Sequence, residues 1–471
     1  MNYKEKWDLI LTEKRFREKS QTIQSDGRNP FENDYGRLIL SSPIRRLQDK
    51  TQVFPLAQSD YIRTRLTHSL EVSYIASSIG QSIENILIDK HEIPETKRGY
   101  LSSLLRVSGL VHDLGNPPFG HFGEEAVRNF FTTFFESKDY KEYEKNILIS
   151  RKTSNPILSD LEKSDFKNFD GNVQTLRILS KLYYFGSDYG FNLTYSSLSS
   201  IIKYPSNSID GNKGKTSSEI AKKKFGYFAT ENDIYEEINT FLKLSDKRNP
   251  VVYLMEAADD IAYSAADVED SIKLGIINLY DVRKLFFNKL EQNKEKVIKE
   301  LDRLILLYEE KTIDESIAIQ RFRICTQQIM LEEIIKTFGD NYELIMDGKL
   351  QSEIIDISGA KDIRKAYKDL QTIVFDDNDI MKKEIAGWKA ISGLLEIFTK
   401  ASMSDKFKSS GNTYEARIYK LISSSHRYVY ENIENYDNQE YKKLQMIVDF
   451  ISGMTDTYAI NLYQELTGIK L

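Results

Sequence analysis

Histidine is scarce in this chain, with five among 471 residues. Three of the five, His68, His112 and His121, fall in two segments whose apolar patterns point toward a core. His112 is followed at once by Asp113, and two adjacent aspartates, Asp259 and Asp260, stand in the later run YLMEAADDIAY. An ionised carboxylate at an apolar helix end is costly unless a cation or hydrogen-bond donors compensate it. A divalent metal compensates imidazole and carboxylate together. The candidate ligands are therefore His68, His112, Asp113 and Asp259. Singly, each has a plainer reading: His68 caps a helix, His112 and Asp113 form a local hydrogen-bonded pair, and the double aspartate is solvated. Only as a set do they describe a metal centre. Helical geometry separates the two aspartates, since Asp259 shares a face with Tyr263 and Asp267 whereas Asp260 is rotated about 100° away, toward Glu256 and Ser264. Asp260 is accordingly expected to be a structural or supporting acid.

His121 follows the PPFG turn, and Glu124 comes one helical turn later. A histidine can protonate a leaving oxygen near neutral pH, and a neighbouring carboxylate fixes its tautomer and raises its pKa. His121 is expected to act as general acid, oriented by Glu124; the alternative is a histidine that satisfies the loop backbone.

Helices must position these groups. Val72, Ile75, Ile79, Ile83 and Ile86 recur at steps of three and four, placing His68 at the start of an inward stripe. The run LSSLLRVSGLVHDL from Leu101 is apolar on nearly every side and is ended by Gly115, Asn116, Pro117 and Pro118, so His112 and Asp113 ride the last turn of a buried helix. A further helix opens with Asn249 as N-cap and Pro250 in first position, with Leu254, Ala258, Ile261, Ala265 and Val268 on its core face. Pro205 to Asp233 reads as a long polar loop. The expectation is an all-α chain with at most a small β element, forming a single large helical domain: a catalytic core over about 40–275 and a helical C-terminal part over about 276–471.

Composition narrows the class. Hydrophobic residues make up 40% and prolines number 9, which excludes a disordered or collagen-like chain. A lone cysteine, Cys325, excludes an intramolecular disulfide and a cysteine-based zinc site. The net charge of -6 does not advertise wholesale nucleic-acid binding. With no apolar leader and no long uncharged apolar stretch, the expected location is cytoplasmic, with no membrane partner.

The segments RNPFENDYGRLILSSPIRRLQDKTQVFPL, RTRLTHSLEV, GLVHDLGNPPFGHFGE, FDGNVQ, KYP with KKKFGYF, YLMEAADDIAY and ISGMTDTYA, in this order, resemble the successive motifs of the deoxyguanosine triphosphate triphosphohydrolase (dGTPase) family within the HD-domain phosphohydrolases. That resemblance implies an all-helical fold and hydrolysis of dGTP, or other dNTPs, to deoxynucleoside and inorganic triphosphate. It puts the family's metal ligands on His68, His112, Asp113 and Asp259, and a catalytic pair on His121 and Glu124. The cation is expected to be Mg²⁺ or Mn²⁺, although the same ligands accept Fe or Zn. By the same resemblance Arg65, Lys203, Tyr204, Asn172 and Gln174 match phosphate and sugar contacts, and Gln52 matches the residue that reads the sugar 3′-hydroxyl. Tyr263, one turn after Asp259, is expected to wall the sugar, with Asp267 beyond it. Glu396 and Arg427 are candidates for reading guanine, a carboxylate accepting from N1 and N2 and a guanidinium donating to O6 and N7. A homo-oligomer, plausibly a hexamer, and single-stranded DNA as effector are further implications. Two other readings stay open: an HD phosphodiesterase or nucleotidase acting on another phosphoester, and a catalytically silent nucleotide sensor or single-stranded DNA binding protein.

Two motifs are decoys. GKT at Gly214–Thr216 lacks the first glycine of a phosphate loop, since position 209 is Ile, and HEIPE at His91 lacks the second histidine of a zinc protease helix. His426 is expected to be structural.

Overall fold

The computed structural model describes residues 2–17, 27–56, 61–183, 188–211, 219–375 and 377–470. Among them there is no strand; the β content is two isolated bridges, Arg15 with Thr194 and Thr51 with Thr64. The chain is all-α. Ten of its helices build or brace the site: α1 (Arg65–Asp89), α2 (Tyr100–Val111), α3 (Gly120–Phe134), α4 (Gly171–Arg177), α5 (Pro250–Lys273), α6 (Glu315–Asp340), α7 (Lys361–Phe375), α8 (Asn378–Ser402), α9 (Gln439–Ser452) and α10 (Asp456–Leu466).

Local signals set the ends of the helices that matter. Thr64 caps α1 in a reciprocal capping box with Thr67, so that His68 falls in the first turns. Asn249 accepts from the Val251 amide and Pro250 opens α5, as the sequence predicts. The predicted core face of α5, from Leu254 to Val268, is buried throughout. On α1 the stripe lies slightly differently: Val72, Ala76, Ile79, Ile83 and Leu87 are buried, while Ile75 is half-buried and Ile86 is 41% exposed. A helix 25 residues long presents more than one stripe of threes and fours, and Gly80 on the buried stripe is where a neighbour comes close, since a Cβ there would stand 2.8 Å from Ser102 Cα.

Two apolar bodies build the interior. The first joins α1, α2 and α5 to α6 and α7, through residues such as Val72, Leu105, Val111, Ile261, Ile319 and Tyr367. The second joins α3 and α4 to α8, α9 and α10, through Phe131, Val173, Leu394, Ile447 and Leu462. The chain beyond α5 thus supplies part of each body. In the segment read as a polar loop, the described residues 205–211 and 219–231 are irregular apart from two short 3₁₀ turns, Ile220–Lys222 and Ala229–Glu231, and a helix begins at Asn232; the GKT motif lies outside the described residues.

α1 and α2 pack closely, and Gly109 makes the approach possible. A Cβ there would stand 2.8 Å from Ser73 Cα and 2.9 Å from Ser73 N, on the backbone of α1. The Ser73 hydroxyl also donates to the Arg106 carbonyl at 2.7 Å. This crossing brings the His68 and His112 rings to 5.2 Å between centroids. Gly109→Ala should therefore destabilise the protein by about 1–3 kcal/mol, the usual cost of overpacking, read as a lowered urea midpoint at unchanged slope. Wild-type stability in that variant would show that the crossing can relax.

Candidate metal and phosphohydrolase site

His68 comes from α1, His112 from the end of α2 and Asp259 from α5, and the three offer ligand atoms that all lie within 4.8 Å of one another. His68 Nε2 is 3.3 Å from Asp259 Oδ1, and His112 Nε2 is 3.4 Å from the same oxygen. Both histidines are buried, whereas Asp259 is 29% exposed. His112 Nδ1 lies 2.8 Å from the Gly109 carbonyl, an oxygen that can only accept, so Nδ1 carries the proton and Nε2 is left with its lone pair toward Asp259. Among the described residues neither ring nitrogen of His68 nor Nε2 of His112 has a hydrogen-bond partner. Such orphaned buried nitrogens around one carboxylate fit a divalent cation bound by nitrogen and oxygen.

Electrostatics agree. Burial opposes ionisation of Asp259, but the imidazoles of His112 and His68 outweigh it and hold its carboxyl well below the usual carboxylate range. Burial likewise disfavours the His112 cation, and Asp113 and Asp259 reverse that and raise its pKa. Asp113, the fourth expected ligand, is 3.6 Å from His112 Nε2 and pairs with Arg65 Nη1. Burial raises its pKa and the His112 and Arg65 groups lower it further than burial raises it. Asp260 points the other way, to Arg364 on α7, with burial lifting its pKa to about 7. The two aspartates thus face apart, as the helical wheel has them.

The turn after Asp113 fits against α4 because position 115 has no side chain. A Cβ on Gly115 would come within 2.2 Å of both the Gly171 carbonyl and the Thr175 amide. The Gly171 N–H in turn donates to Glu124 Oε1 at 2.7 Å. Glu124 is 2% exposed, and its other oxygen is 3.0 Å from His121 Nδ1. His121 itself stands open, its side chain 86% exposed. The hydrogen bond and the charge of Glu124 raise its pKa. Arg128, which the sequence reading missed, reaches Glu124 at 3.7 Å from one turn further along α3; its position four residues on is the only signal that could have marked it.

The remaining expected contacts separate into two groups. Lys203 is half-buried and makes no ion pair among the described residues; burial opposes its charge, and Asp259 and Glu256 raise its pKa over that. Tyr204 lies beside it with the Arg248 guanidinium 5.3 Å from its ring. Gln52 keeps a buried Oε1 with no partner among the described residues, next to the Thr51 bridge. Tyr263 sets its ring edge-on to His68 at 6.4 Å and packs against Val53, Phe54 and Ile62. Arg65 is buried, donating to Asp113 and to the Thr51 carbonyl. Asn172 gives its amide to Asp170, which also pairs with Lys224.

The second group lies elsewhere or is spent on packing. Gln174 is fully buried and donates to Asp449 at 2.9 Å. Asp267 is buried under the Gln371 amide, and burial raises its pKa well above the ordinary value. Glu396 is exposed and lines a separate cleft with Lys389, Lys400, Tyr414 and Tyr463. Arg427 donates to the Ile422 carbonyl and covers Tyr419. His426 is buried against Ser423, its pKa lowered by burial to about 4. His91 is exposed in the turn after α1. Among the described residues no helix is long and apolar enough to cross a membrane.

Comparison with known proteins matches residues 65–170 to the HD domain and residues 368–465 to a phosphohydrolase-associated domain. A deoxyguanosinetriphosphate triphosphohydrolase-like protein of Listeria monocytogenes is 38% identical over 99% of this chain and all of its own. A protein of the same name from Synechocystis sp. is 30% identical over 99% of this chain and all of its own. The deoxyguanosinetriphosphate triphosphohydrolase of Yersinia pseudotuberculosis is 30% identical over 93% of this chain and 94% of its own. The HD match begins at Arg65 and takes in His68, His112, Asp113, His121 and Glu124, and the relatives extend it over nearly the whole length; this chain belongs to the HD-domain phosphohydrolases, among the proteins named for deoxyguanosinetriphosphate triphosphohydrolase.

Proposed function

We propose that the protein hydrolyses dGTP, or another dNTP, to deoxynucleoside and inorganic triphosphate with the help of a divalent cation, Mg²⁺ or Mn²⁺. The observation that carries this reading is the juxtaposition of two chemistries: orphaned buried imidazoles converging on Asp259, and an open histidine, His121, anchored by a buried carboxylate. His68, His112, Asp259 and Asp113 would hold the cation, which acidifies water and polarises a phosphoryl oxygen when bound. His121 gives its proton to the 5′-oxygen as that oxygen leaves the α-phosphorus, and Glu124 keeps the imidazolium populated and aimed. Lys203 offers a cation without a competing partner to the phosphate chain, and Gln52 offers an unengaged acceptor to a sugar hydroxyl. The names of the relatives favour dGTP over other phosphoesters. Triphosphate release measured for all four dNTPs, with and without each metal, tests the reading; release of monophosphate instead would make it a phosphodiesterase or nucleotidase, and no release a binding protein. A homo-oligomer, plausibly a hexamer, a response to single-stranded DNA and a cytoplasmic location belong to the same proposal.

Asp259→Ala should lose bound metal and activity, whereas Asp260→Ala, which removes an acid facing Arg364 and Lys368, should keep substantial metal. Elemental analysis showing the reverse would move the ligand role to Asp260.

His121→Ala should retain metal and lower kcat about 10²- to 10⁴-fold, the range for lost general acid catalysis. Glu124 raises the His121 pKa, so activity that needs the protonated ring persists up to that raised value and falls as pH climbs through it. In Glu124→Gln the alkaline limb of the kcat profile should move to lower pH. An unmoved limb would assign that limb to another group.

Tyr263, packed beside His68, leaves no room for a 2′-hydroxyl if the sugar lies against it. Tyr263→Ala should narrow the kcat/KM preference for dGTP over GTP by about tenfold, since a stranded hydroxyl costs on the order of 1–3 kcal/mol. An unchanged ratio in a folded, metal-loaded variant would leave Tyr263 as packing.

A further inference from the structure

Three distant stretches of chain meet behind His121: residues 49–52, 116–119 and 452–457. Asp456, the first residue of α10, lies at their centre and is 2% exposed. Its Oδ2 accepts from the Thr51 amide at 2.9 Å and from the Thr51 hydroxyl, and its Oδ1 accepts from the Phe119 amide at 3.0 Å. Both partners connect directly to elements of the site. The Thr51 carbonyl receives Arg65 Nη2 at 2.8 Å, and Arg65 holds Asp113. Thr51 also bridges Thr64, the cap of α1. Phe119 immediately precedes α3, the helix of His121 and Glu124, and has a φ of 62°. A bulky residue persists in the left-handed region only where its surroundings hold it there. Lys50 adds a parallel tie, with Nζ donating to the Asn116 carbonyl at 2.6 Å and the Ser452 carbonyl at 2.9 Å.

We propose that Asp456 is a positioning residue, whose carboxylate locks the backbones of Thr51 and Phe119 together and so fixes where His121 stands relative to Arg65 and Asp113. The proposal rests on the reading of His121 as general acid. A carboxylate is the group this junction requires: two oxygens serve three donors from two strands of chain. An asparagine has one acceptor oxygen, and its NH₂ would face an N–H or O–H, leaving one backbone donor unsatisfied. The loss should fall on kcat rather than KM, because a displaced acid weakens the transition state without removing a ground-state contact. The charged groups that face His121 are Glu124 on its own helix and Asp113 and Arg65 across the site, with Arg128 behind Glu124.

The test compares Asp456→Asn, Thr457→Val and His121→Ala in the full chain loaded with Mn²⁺, reading kcat, KM, the pH profile of triphosphate release from dGTP, metal content and melting temperature. Asp456→Asn should keep fold and metal, lose kcat on the order of 10- to 100-fold at nearly unchanged KM, and show its alkaline limb at lower pH as the contact of His121 with Glu124 loosens. Thr457→Val, which loses only a hydroxyl bond to Asp49 across the same junction, should behave as wild type. A wild-type kcat and profile in folded Asp456→Asn, set against a crippled His121→Ala, would overturn the positioning role alone. So would a loss of activity with the pH profile unmoved, which is the mark of a merely structural residue. Full activity in His121→Ala would instead overturn the acid assignment beneath it. Should Asp456→Asn fail to fold, Thr51→Val removes the hydroxyl contact by itself; a lowered alkaline limb there supports the proposal and a wild-type profile overturns it.

Discussion

Two imidazoles and a carboxylate share one small space at the meeting of three helices, and their hydrogen-bonding capacity toward each other is not met by protein. His112 is fixed by its bond to the Gly109 carbonyl and cannot turn away. His68 is buried in the first turns of α1. A set like this is stable only when something positive sits among the lone pairs, a proton in the empty chain or a divalent cation in the loaded one. Much of the architecture serves that constraint. The Thr64 cap sets the phase of α1, the bare backbone at Gly109 sets its distance from α2, and the Asn249–Pro250 start sets the phase of α5.

The proposed proton donor obeys the opposite requirement. Metal ligands work best withdrawn from water, but a general acid must meet an oxygen that arrives with the substrate. His121 is open while its partner Glu124 is buried and pinned by the Gly171 N–H. Mobility of the ring is thereby limited at its inner nitrogen and free at its outer one. The PPFG turn separates the two environments within a few residues, and Phe119 in its left-handed conformation is where the chain leaves one for the other.

Local features of this arrangement were legible in the sequence, and long-range ones were not. Caps, the core face of α5 and the opposed faces of Asp259 and Asp260 follow from spacing alone, because a helix fixes the relation of residues three and four apart. The ring of partners does not. Arg364 answers Asp260 from 104 residues away, and Asp456 answers Thr51 from 405 away; no periodicity connects them. Motif order names stretches of chain, whereas tertiary packing decides which way each side chain in them turns. Gln174 belongs to FDGNVQ, yet what α4 presents toward the site is the Gly171 amide, while the Gln174 side chain turns inward. Glu396 illustrates the same limit: as an exposed residue of an amphipathic helix it could face a base or solvent, and it lines a cleft with Lys389 and Lys400 apart from the candidate metal donors.

The inward side of α4 explains why the C-terminal helices stand where they do. Arg177 is buried with Asp449, Glu231 and Glu434 around its guanidinium, and Gln174 shares Asp449. Three acids outnumber Arg177 and its neighbour Lys181, and burial lifts the Glu231 pKa to about 7. Such a cluster adds little net stability against apolar packing of the same volume, because desolvation offsets the attraction. What it does supply is register: apolar side chains tolerate sliding, whereas the guanidinium meets Asp449 at one setting of α9 against α4, with Glu231 and Glu434 closing on it from other segments. Asp449 lies in the last turn of α9, and only residues 453–455 separate α9 from α10. With so short a connection, setting α9 on Arg177 also restricts where α10 can begin, and Asp456 at that beginning accepts from the Thr51 and Phe119 amides, so that the buried charge under FDGNVQ and the proposed clamp behind His121 are mechanically linked.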